Sequence, residues 1–474
     1  MPKLTRKYRL QVVGDDQERS RVYKYIRNAM DATYKCYNEY MSARYIAELK
    51  SETGEEKKEL TKLVNKLYSR QTGTKLESAF TSNIEFPKGL ALAATIENSA
   101  SKKFEDIKYD VINGRVSLPT YKKDGAVPLH VRYVSLKGEK GSGHGFHHGY
   151  DTLEQLYYGL EKDLEPKVFL RFPDKIEFRV CFGNPYKSSE QRKVFMRIFS
   201  GEYKSQGSSI QINSKGKIIL NLVMEVPKKE MKHIDGVVVG VDLGMAIPAM
   251  CALNNDLYDK CDIGNINDFL RVRTAIAARR RRLQKSLTTT NGGHGRTKKL
   301  QALDRFAETE RNFVQTYNHM VSRNVVDYAV KHGAVQINVE DLSGFGRDKN
   351  GKSLDDERKK KVLRNWSYFE LQQQITYKAA QYGIEVRKVN PAYTSQTCSY
   401  CGTMGERPKQ AVFICSNPDC KCHEIYQKNK DHCFNADFNA ARNIAMSTDY
   451  TDVNSDGEKK KTVKKKKKAD KKED

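Results

Sequence analysis

Two closely spaced cysteine groups followed by an acid constrain this chain more than any other feature. The sequence reads T-C-S-Y-C-G at 397–402, F-I-C-S-N-P-D-C-K-C at 413–422 and N-A-D-F-N-A-A-R-N-I-A at 435–445. Two thiolates at C-x-x-C spacing can share one tetrahedral ion, so Cys398 and Cys401 form a strong half-site. The second half is less regular. Cys415 is followed by Cys420 and, two residues on, by Cys422. Cys420 is the favoured fourth ligand and Cys422 the alternative; His423, His432 and Cys433 stand in reserve. A closed four-ligand site of this kind is structural and holds one Zn²⁺ ion. Six of the ten cysteines lie between Cys398 and Cys433. Cys36, Cys181, Cys251 and Cys261 are scattered and read as structural thiols.

Asp437 follows this module directly, at the mouth of a run of small residues. Two further acids sit in unusual surroundings. Asp242 lies inside the apolar run V-V-V-G-V-D-L-G at 237–244, and Glu340 ends the run V-Q-I-N-V-E at 335–340. An unpaired charge in an apolar strand is costly unless a cation or hydrogen bonds compensate it. Phosphodiester cleavage by two Mg²⁺ ions needs such a carboxylate cluster, with hard oxygen ligands and open positions for substrate. Neighbouring strands with a helix packed beside them would bring the three acids to one sheet edge, as in a ribonuclease H-like fold. Each acid has a plainer alternative. Asp242 can pair with a surface lysine, and Asp437 can be a simple N-cap. Glu340 competes with Asp341, because adjacent strand residues face opposite ways.

The remaining sequence divides into two architectures. Residues 3–13 alternate as a first strand, and 17–112 are helical, with Val22, Tyr25, Ile26, Ala29 and Met30 at three- and four-residue spacing. Lys57, Lys58, Lys62, Lys66 and Arg70 decorate the second helix, as a solvated face or a surface that tracks nucleic acid. From Val116 to Val226 the reading is β: Val168–Phe172, Ile176–Cys181, Val194–Phe199 and Ile210–Val226, with a turn at 214–217. A small barrel is expected there. The Gly- and His-rich stretch 138–149 reads as a flexible loop, since His144, His147 and His148 have no acidic or thiol co-ligands. The second architecture starts near Gly236. It runs strand, hairpin partner at 249–253, a basic helix with Arg271, Arg273 and Arg279–Arg282, and a helix over about 311–332. The strand at 335–342 follows, then a helix at 366–381 and a strand at 384–389.

Charge narrows the partners. A formal net charge of +25 points to a polyanion. The lysine-rich end, 458–474, contributes only +6 of it, so the body is basic in its own right. No apolar run reaches membrane-spanning length and Met1–Leu10 lacks the apolar core of a signal peptide. A cytoplasmic, nucleoid-associated protein without a membrane partner is expected.

Four motifs in order carry a resemblance: G-V-D-L-G at 240–244, I-N-V-E-D-L at 337–342, V-N-P-A-Y-T-S-Q-T-C-S-Y-C-G at 389–402 and A-D-F-N-A-A-R-N-I-A at 436–445. Together they resemble the RuvC and zinc-module signatures of the miniature type V-F CRISPR effectors and of transposon-encoded TnpB. The match covers about 236–445; the N-terminal half is similar in architecture alone. The resemblance implies a multidomain α+β chain. A wedge-type β-barrel (1–16 and 113–230) carries an inserted helical recognition lobe (17–112). A RuvC nuclease domain (236–394 and 434–446) carries a zinc-binding target-nucleic-acid module (395–433), and a disordered basic tail follows (447–474). It implies Asp242, Glu340 and Asp437 as the catalytic ligands of two Mg²⁺ ions, which decides Glu340 over Asp341. It also implies a guide RNA, a target double-stranded DNA with a short recognition motif, and a homodimer on one guide RNA. Sequence would then be read by base pairing and the protein would hold backbone. Arg279, Arg280, Arg281 and Arg282 are candidate backbone contacts. The larger helical lobe favours the CRISPR effector over TnpB. A zinc-dependent nucleic-acid-binding regulator without catalysis is the alternative of another class; the presence of all three acids argues against it.

Overall fold

The computed structural model describes residues 1–50, 53–68, 91–114, 116–138, 143–173, 175–244, 247–290, 292–341, 368–409, 411–422 and 435–451. The readings at Arg70, the side chain of Lys66, Trp366, His423, His432, Cys433 and the tail beyond 451 lie outside the described residues. The chain forms two compact units, Met1–Pro227 and Lys228–Asp474.

The first unit is built on an antiparallel sheet. Strand β1 (Lys3–Val12) alternates exposed and buried residues, and its Tyr8, Leu10 and Val12 enter the core. The other strands are β2 (Val127–Leu129), β3 (Gly145–His148), β4 (Val168–Arg171), β5 (Glu177–Cys181), β6 (Lys204–Ser205), β7 (Ser208–Ile212) and β8 (Ile218–Glu225). Their order is β2-β7-β8-β1-β5-β4-β3, with β6 on β8. Helices α2 (Gly54–Tyr68) and α3 (Ala91–Ile112) each pack on α1 (Asp16–Lys50). On α2, Lys57 is not a free surface charge but pairs with the buried carboxylate of Glu48.

Two expectations for this unit are corrected. Val194–Phe199 belongs to a helix, α5 (Ser189–Phe199), which packs on α4 (Leu153–Lys162). Its composition is strand-like, but Arg192, Phe195 and Ile198 recur every third residue and are all buried. The Arg192 guanidinium donates to the carbonyls of Leu160, Asp163 and Gly183, which satisfies the open end of α4. The stretch read as a flexible loop contains β3, held by backbone pairing to β4. There His147 pairs with Glu177 and stacks on Phe169 instead of lining a metal site.

The second unit holds a five-stranded sheet in the order β11-β10-β9-β12-β13. These are β9 (Val238–Asp242), β10 (Ala249–Leu253), β11 (Lys260–Ile263), β12 (Gln336–Glu340) and β13 (Glu385–Val389). β9, β12 and β13 run parallel, while β10 lies antiparallel to β9 and β11. The parallel strands are buried on both faces, with Val239, Val241, Ile337 and Val339 on one and Gly240 and Asn338 on the other. Helices α6 (Ile266–Thr288) and α7 (Gly293–Lys331) form a long pair. α7 starts well before the expected residue 311, because its first half packs only on α6 and shows no broad apolar stripe. Phe269 stacks on Phe313, and Arg273 pairs with Glu310 at 2.5 Å across the two helices. Arg279, Arg280, Arg281 and Arg282 are exposed on α6, with Arg280 Nη1 3.8 Å from Glu310 Oε2. Helix α8 (Tyr368–Ala380) packs on α7.

A short hairpin, β14 (Gly405–Lys409) with β15 (Val412–Cys415), leads to the last helix, α9 (Ala436–Met446). α9 lies against β9 and β10. The approach is closest at Gly240, where a Cβ would stand 2.0 Å from the Ala441 carbonyl oxygen and 2.3 Å from Ala445 N. The small residues of A-D-F-N-A-A-R-N-I-A thus exist to let a helix touch a strand backbone. No described helix is long and apolar enough to cross a membrane.

Candidate metal centres

The strand register brings the acids together. β12 runs beside β9 with Val339 level with Val241, so the next step along each strand reaches Glu340 and Asp242. Both acids therefore stand at the C-terminal ends of neighbouring parallel strands. Asp437 enters from the first turn of α9, capped by Asn435, whose Oδ1 accepts from the N–H groups of Asp437 and Phe438. Asn435, not Asp437, is the N-cap, which leaves the Asp437 carboxylate free for another task.

The three acids act on one another. Asp242 is partly accessible to solvent but lies deep within surrounding protein, as at the floor of a cleft. Burial, then Glu340 and Asp437, push its carboxyl well above the ordinary range. Glu340 and Asp437 are raised as well, chiefly by burial. Three acids held with raised proton affinity are a site that a cation would relieve. Among the described residues, however, the carboxylates are not gathered within 4.8 Å of one another. Arg407 Nη2 stands 3.0 Å from Asp437 Oδ1 and lowers all three acids from the far side.

Neighbouring groups fix the acids in place. Thr394 Oγ1 donates to Glu340 Oε1 at 2.6 Å. Gln372 Nε2 of α8 donates to the Glu340 carbonyl at 2.7 Å. Asn338 Nδ2, fully buried on β12, donates to the Ile444 carbonyl at the end of α9. On the other face of α9, Asn439 accepts from Ser399 N and donates to the Thr397 carbonyl. Asn443 donates to the carbonyls of Thr394 and Thr397. α9 is thus stitched to the segment that leads into the first cysteine pair.

The cysteines form a second centre. The ligand sulfurs of Cys398, Cys401, Cys415 and Cys420 all lie within 4.8 Å of one another. Cys398 and Cys420 are 3.8 Å apart and Cys401 and Cys415 are 3.4 Å apart. Zn–S bonds of about 2.3 Å in a tetrahedron place sulfurs about 3.8 Å apart, so this set fits Zn²⁺. Cys422 is fully buried and hydrogen-bonds to Cys398, holding that thiol down at about 4. It is not among the four sulfurs that meet. Cys415→Ser is expected to reduce bound zinc from one equivalent per chain to well below half, by elemental analysis. Amide exchange along 436–446 should quicken about tenfold or more, because α9 is tied to this segment. Unchanged zinc content would remove Cys415 from the ligand set.

The three acids named from the sequence stand at one sheet edge and the four favoured cysteines meet, while Arg407, Thr394, Gln372 and Asn338, which touch or brace these groups, were not named from the sequence. The only available signal was the Asn439–Asn443 spacing, which puts two amides on one helix face.

Comparison with known proteins places the chain. Residues 368–444 match the family model described as Cas12f1-like, TNB domain. A CRISPR-associated endodeoxyribonuclease Cas12f1 of Sulfoacidibacillus thermotolerans is 32% identical over 362 residues, covering 75% of this chain and 76% of the relative. The chain belongs to the Cas12f1 family. A second Cas12f1, from Syntrophomonas palmitatica, is 33% identical over 56% of this chain and 57% of its own length. A TnpB-like protein of Methanocaldococcus jannaschii is 29% identical over 35% of this chain and 55% of its own length. The Cas12f1 fold is seen in the cryo-EM structure of a Cas12f1–sgRNA–target DNA complex. That chain matches at a TM-score of 0.57 and 22% identity, over 90% of this chain and 82% of that one. The four motifs are shared by both branches; the Cas12f1 family is the one that the larger helical lobe favoured over TnpB.

Proposed function

We propose that this protein is an RNA-guided DNA endonuclease whose second unit is a ribonuclease H-like (RuvC) domain. The observation that carries the reading is the convergence of Asp242, Glu340 and Asp437 at the ends of β9, β12 and the start of α9, in a chain of the Cas12f1 family. Sheet order supports it. Counting the strands of this unit in chain order gives 3-2-1-4-5, with the second strand antiparallel, which puts the strands that carry Asp242 and Glu340 side by side, as the ribonuclease H-like reading needs.

Asp242, Glu340 and Asp437 would hold the two Mg²⁺ ions; their hard oxygens and mutual crowding fit that cation. When bound, the ions supply Lewis-acid charge that stabilises the in-line displacement at a phosphate. The chain's own groups do the rest. Thr394 occupies one Glu340 oxygen and so aims the other. Gln372 pins the end of β12. Arg407 balances Asp437 and presents fixed positive charge where the scissile phosphate gathers negative charge. Products with 5′-phosphate and 3′-hydroxyl ends are expected. A guide RNA, a double-stranded DNA target and two copies of this chain on one guide are the partners in this reading, which places the protein in a prokaryotic cytoplasm. The net charge of +25 suits such a polyanionic load.

The test is plasmid cleavage in Mg²⁺ by the chain purified with its native flanking RNA, with and without a matching guide. Guide-dependent cutting supports the reading; cutting that survives removal of the RNA sinks it. Arg407→Ala should slow single-turnover cleavage about 10²–10³-fold, with Arg407→Lys recovering part of the loss. A rate within threefold of wild type would make Arg407 a mere ion-pair partner of Asp437.

A further inference from the structure

Tyr393 has a backbone conformation that does not suit it and a ring that the fold does not use. Its φ is +63°, and among the described residues only one other non-glycine, Lys175, has a positive value. Bulky L side chains are disfavoured there, while glycine and asparagine are at home. The conformation is imposed from both sides. Asn390 is tied to Asp449 through its backbone N–H and its side chain. Thr394 is tied to Glu340 and, through its carbonyl, to Asn443. The Tyr393 carbonyl itself accepts from Gln396 N and Thr397 N. A glycine would serve this turn better. Yet Tyr393 is 66% exposed. Single exposed aromatics are ordinary; an exposed aromatic at a position that rejects its class asks for a reason outside the fold.

The turn's location supplies one. Thr394, the next residue, touches the Glu340 carboxylate at 2.6 Å. Adjacent Cα atoms are about 3.8 Å apart, so the Tyr393 backbone lies one residue step from the side chain that touches the carboxylate centre. Aromatic rings on a basic protein grip unpaired nucleotides by stacking, and any base will do. We propose that Tyr393 is a substrate-positioning residue whose ring stacks on an unpaired nucleobase next to the scissile phosphate. This rests on the nuclease reading above.

The substitution that tests this is Tyr393→Gly, which relaxes the backbone and removes the ring. Tyr393→Trp keeps a stacking face. The guide-loaded protein is given target DNA with 2-aminopurine at the bases flanking the cut, in an Asp242→Asn background that leaves the DNA whole. Wild-type Tyr393 and the Trp variant should quench the probe, and the Gly variant should lose the quench. In the active enzyme, Tyr393→Gly should raise KM for target about tenfold with kcat within about threefold, the signature of lost uniform binding. The Gly variant should melt no lower than wild type. A lower melting temperature would assign the ring a structural task and overturn the proposal. So would an unchanged quench and unchanged KM in a wild type that cuts DNA. A wild type that cuts no guided target overturns the nuclease reading and takes this inference with it.

Discussion

Asp242→Asn is expected to reduce guided DNA cleavage at least about a thousandfold while raising the melting temperature of the metal-free protein. The first effect follows from chemistry. An amide keeps the shape but loses the charge and the second anionic oxygen that a shared cation site requires. The second effect follows from linkage. Burial, Glu340 and Asp437 raise the folded-state affinity of Asp242 for a proton. The unfolded group titrates near pH 4, so above that pH the unfolded chain gives up its proton first. Stability then falls as pH rises from about 4 through the raised folded value. Asparagine removes this loss. The gain in melting temperature should be absent below about pH 3, where the group is protonated in both the folded and the unfolded chain, and largest at pH 7–8. Adding Mg²⁺ should narrow or reverse it, since the wild type gains the ligand and the variant does not. Cleavage within tenfold of wild type, or a variant less stable than wild type at pH 7–8 without metal, would break the link between this carboxylate and the centre.

Gly240→Ala tests the other half of the site's construction. The added methyl group would meet backbone atoms, Ala441 O at 2.0 Å and Ala445 N at 2.3 Å, and no flexible side chain is there to yield. α9 must move off β9, and Asp437 moves with it. Overpacking against backbone costs about 3 kcal/mol or more, which in a unit of this size lowers the melting temperature by roughly 6–12 °C. Cleavage should fall at least a hundredfold even in protein that remains folded, because a carboxylate displaced by about an ångström no longer serves the same cation. Differential scanning calorimetry and single-turnover cleavage at a temperature below both melts separate the two effects. A variant with wild-type melting and wild-type rate would mean that the helix and strand are less closely packed than described.

The parts of this design that sequence reveals are those where one residue violates its surroundings. An acid in V-V-V-G-V-D-L-G stands out because its neighbours are apolar, and Cys398-x-x-Cys401 stands out because thiols at that spacing have few other uses. Parts that depend on distant partners do not stand out. Arg407 is one basic residue in the largely exposed strand G-E-R-P-K, and only the hairpin's placement gives it Asp437. Cys420 and Cys422 differ by two positions, so spacing favoured Cys420 while keeping Cys422 as an alternative, and it is Cys420 whose sulfur meets the other three. Val194–Phe199 misled because β-branched and aromatic residues report burial as well as strand, and the buried Arg192 that fixes the helix looks like a surface charge in sequence. The glycine- and histidine-rich strand β3 is hidden because its pairing is made by backbone, to which composition is blind.

The manner in which α9 is held has a consequence for the order of assembly. This helix of 11 residues touches Gly240, Asn338 and the 394–399 turn, three places widely separated in the chain. None of those contacts can form while the ribosome is still making the first two of the three acids. At about 5–20 residues per second, Asp242 and Glu340 are made several seconds before the helix that brings Asp437 to them. The two strand-borne acids therefore wait for their third companion, and the centre is complete only once α9 has packed against the backbone of Gly240.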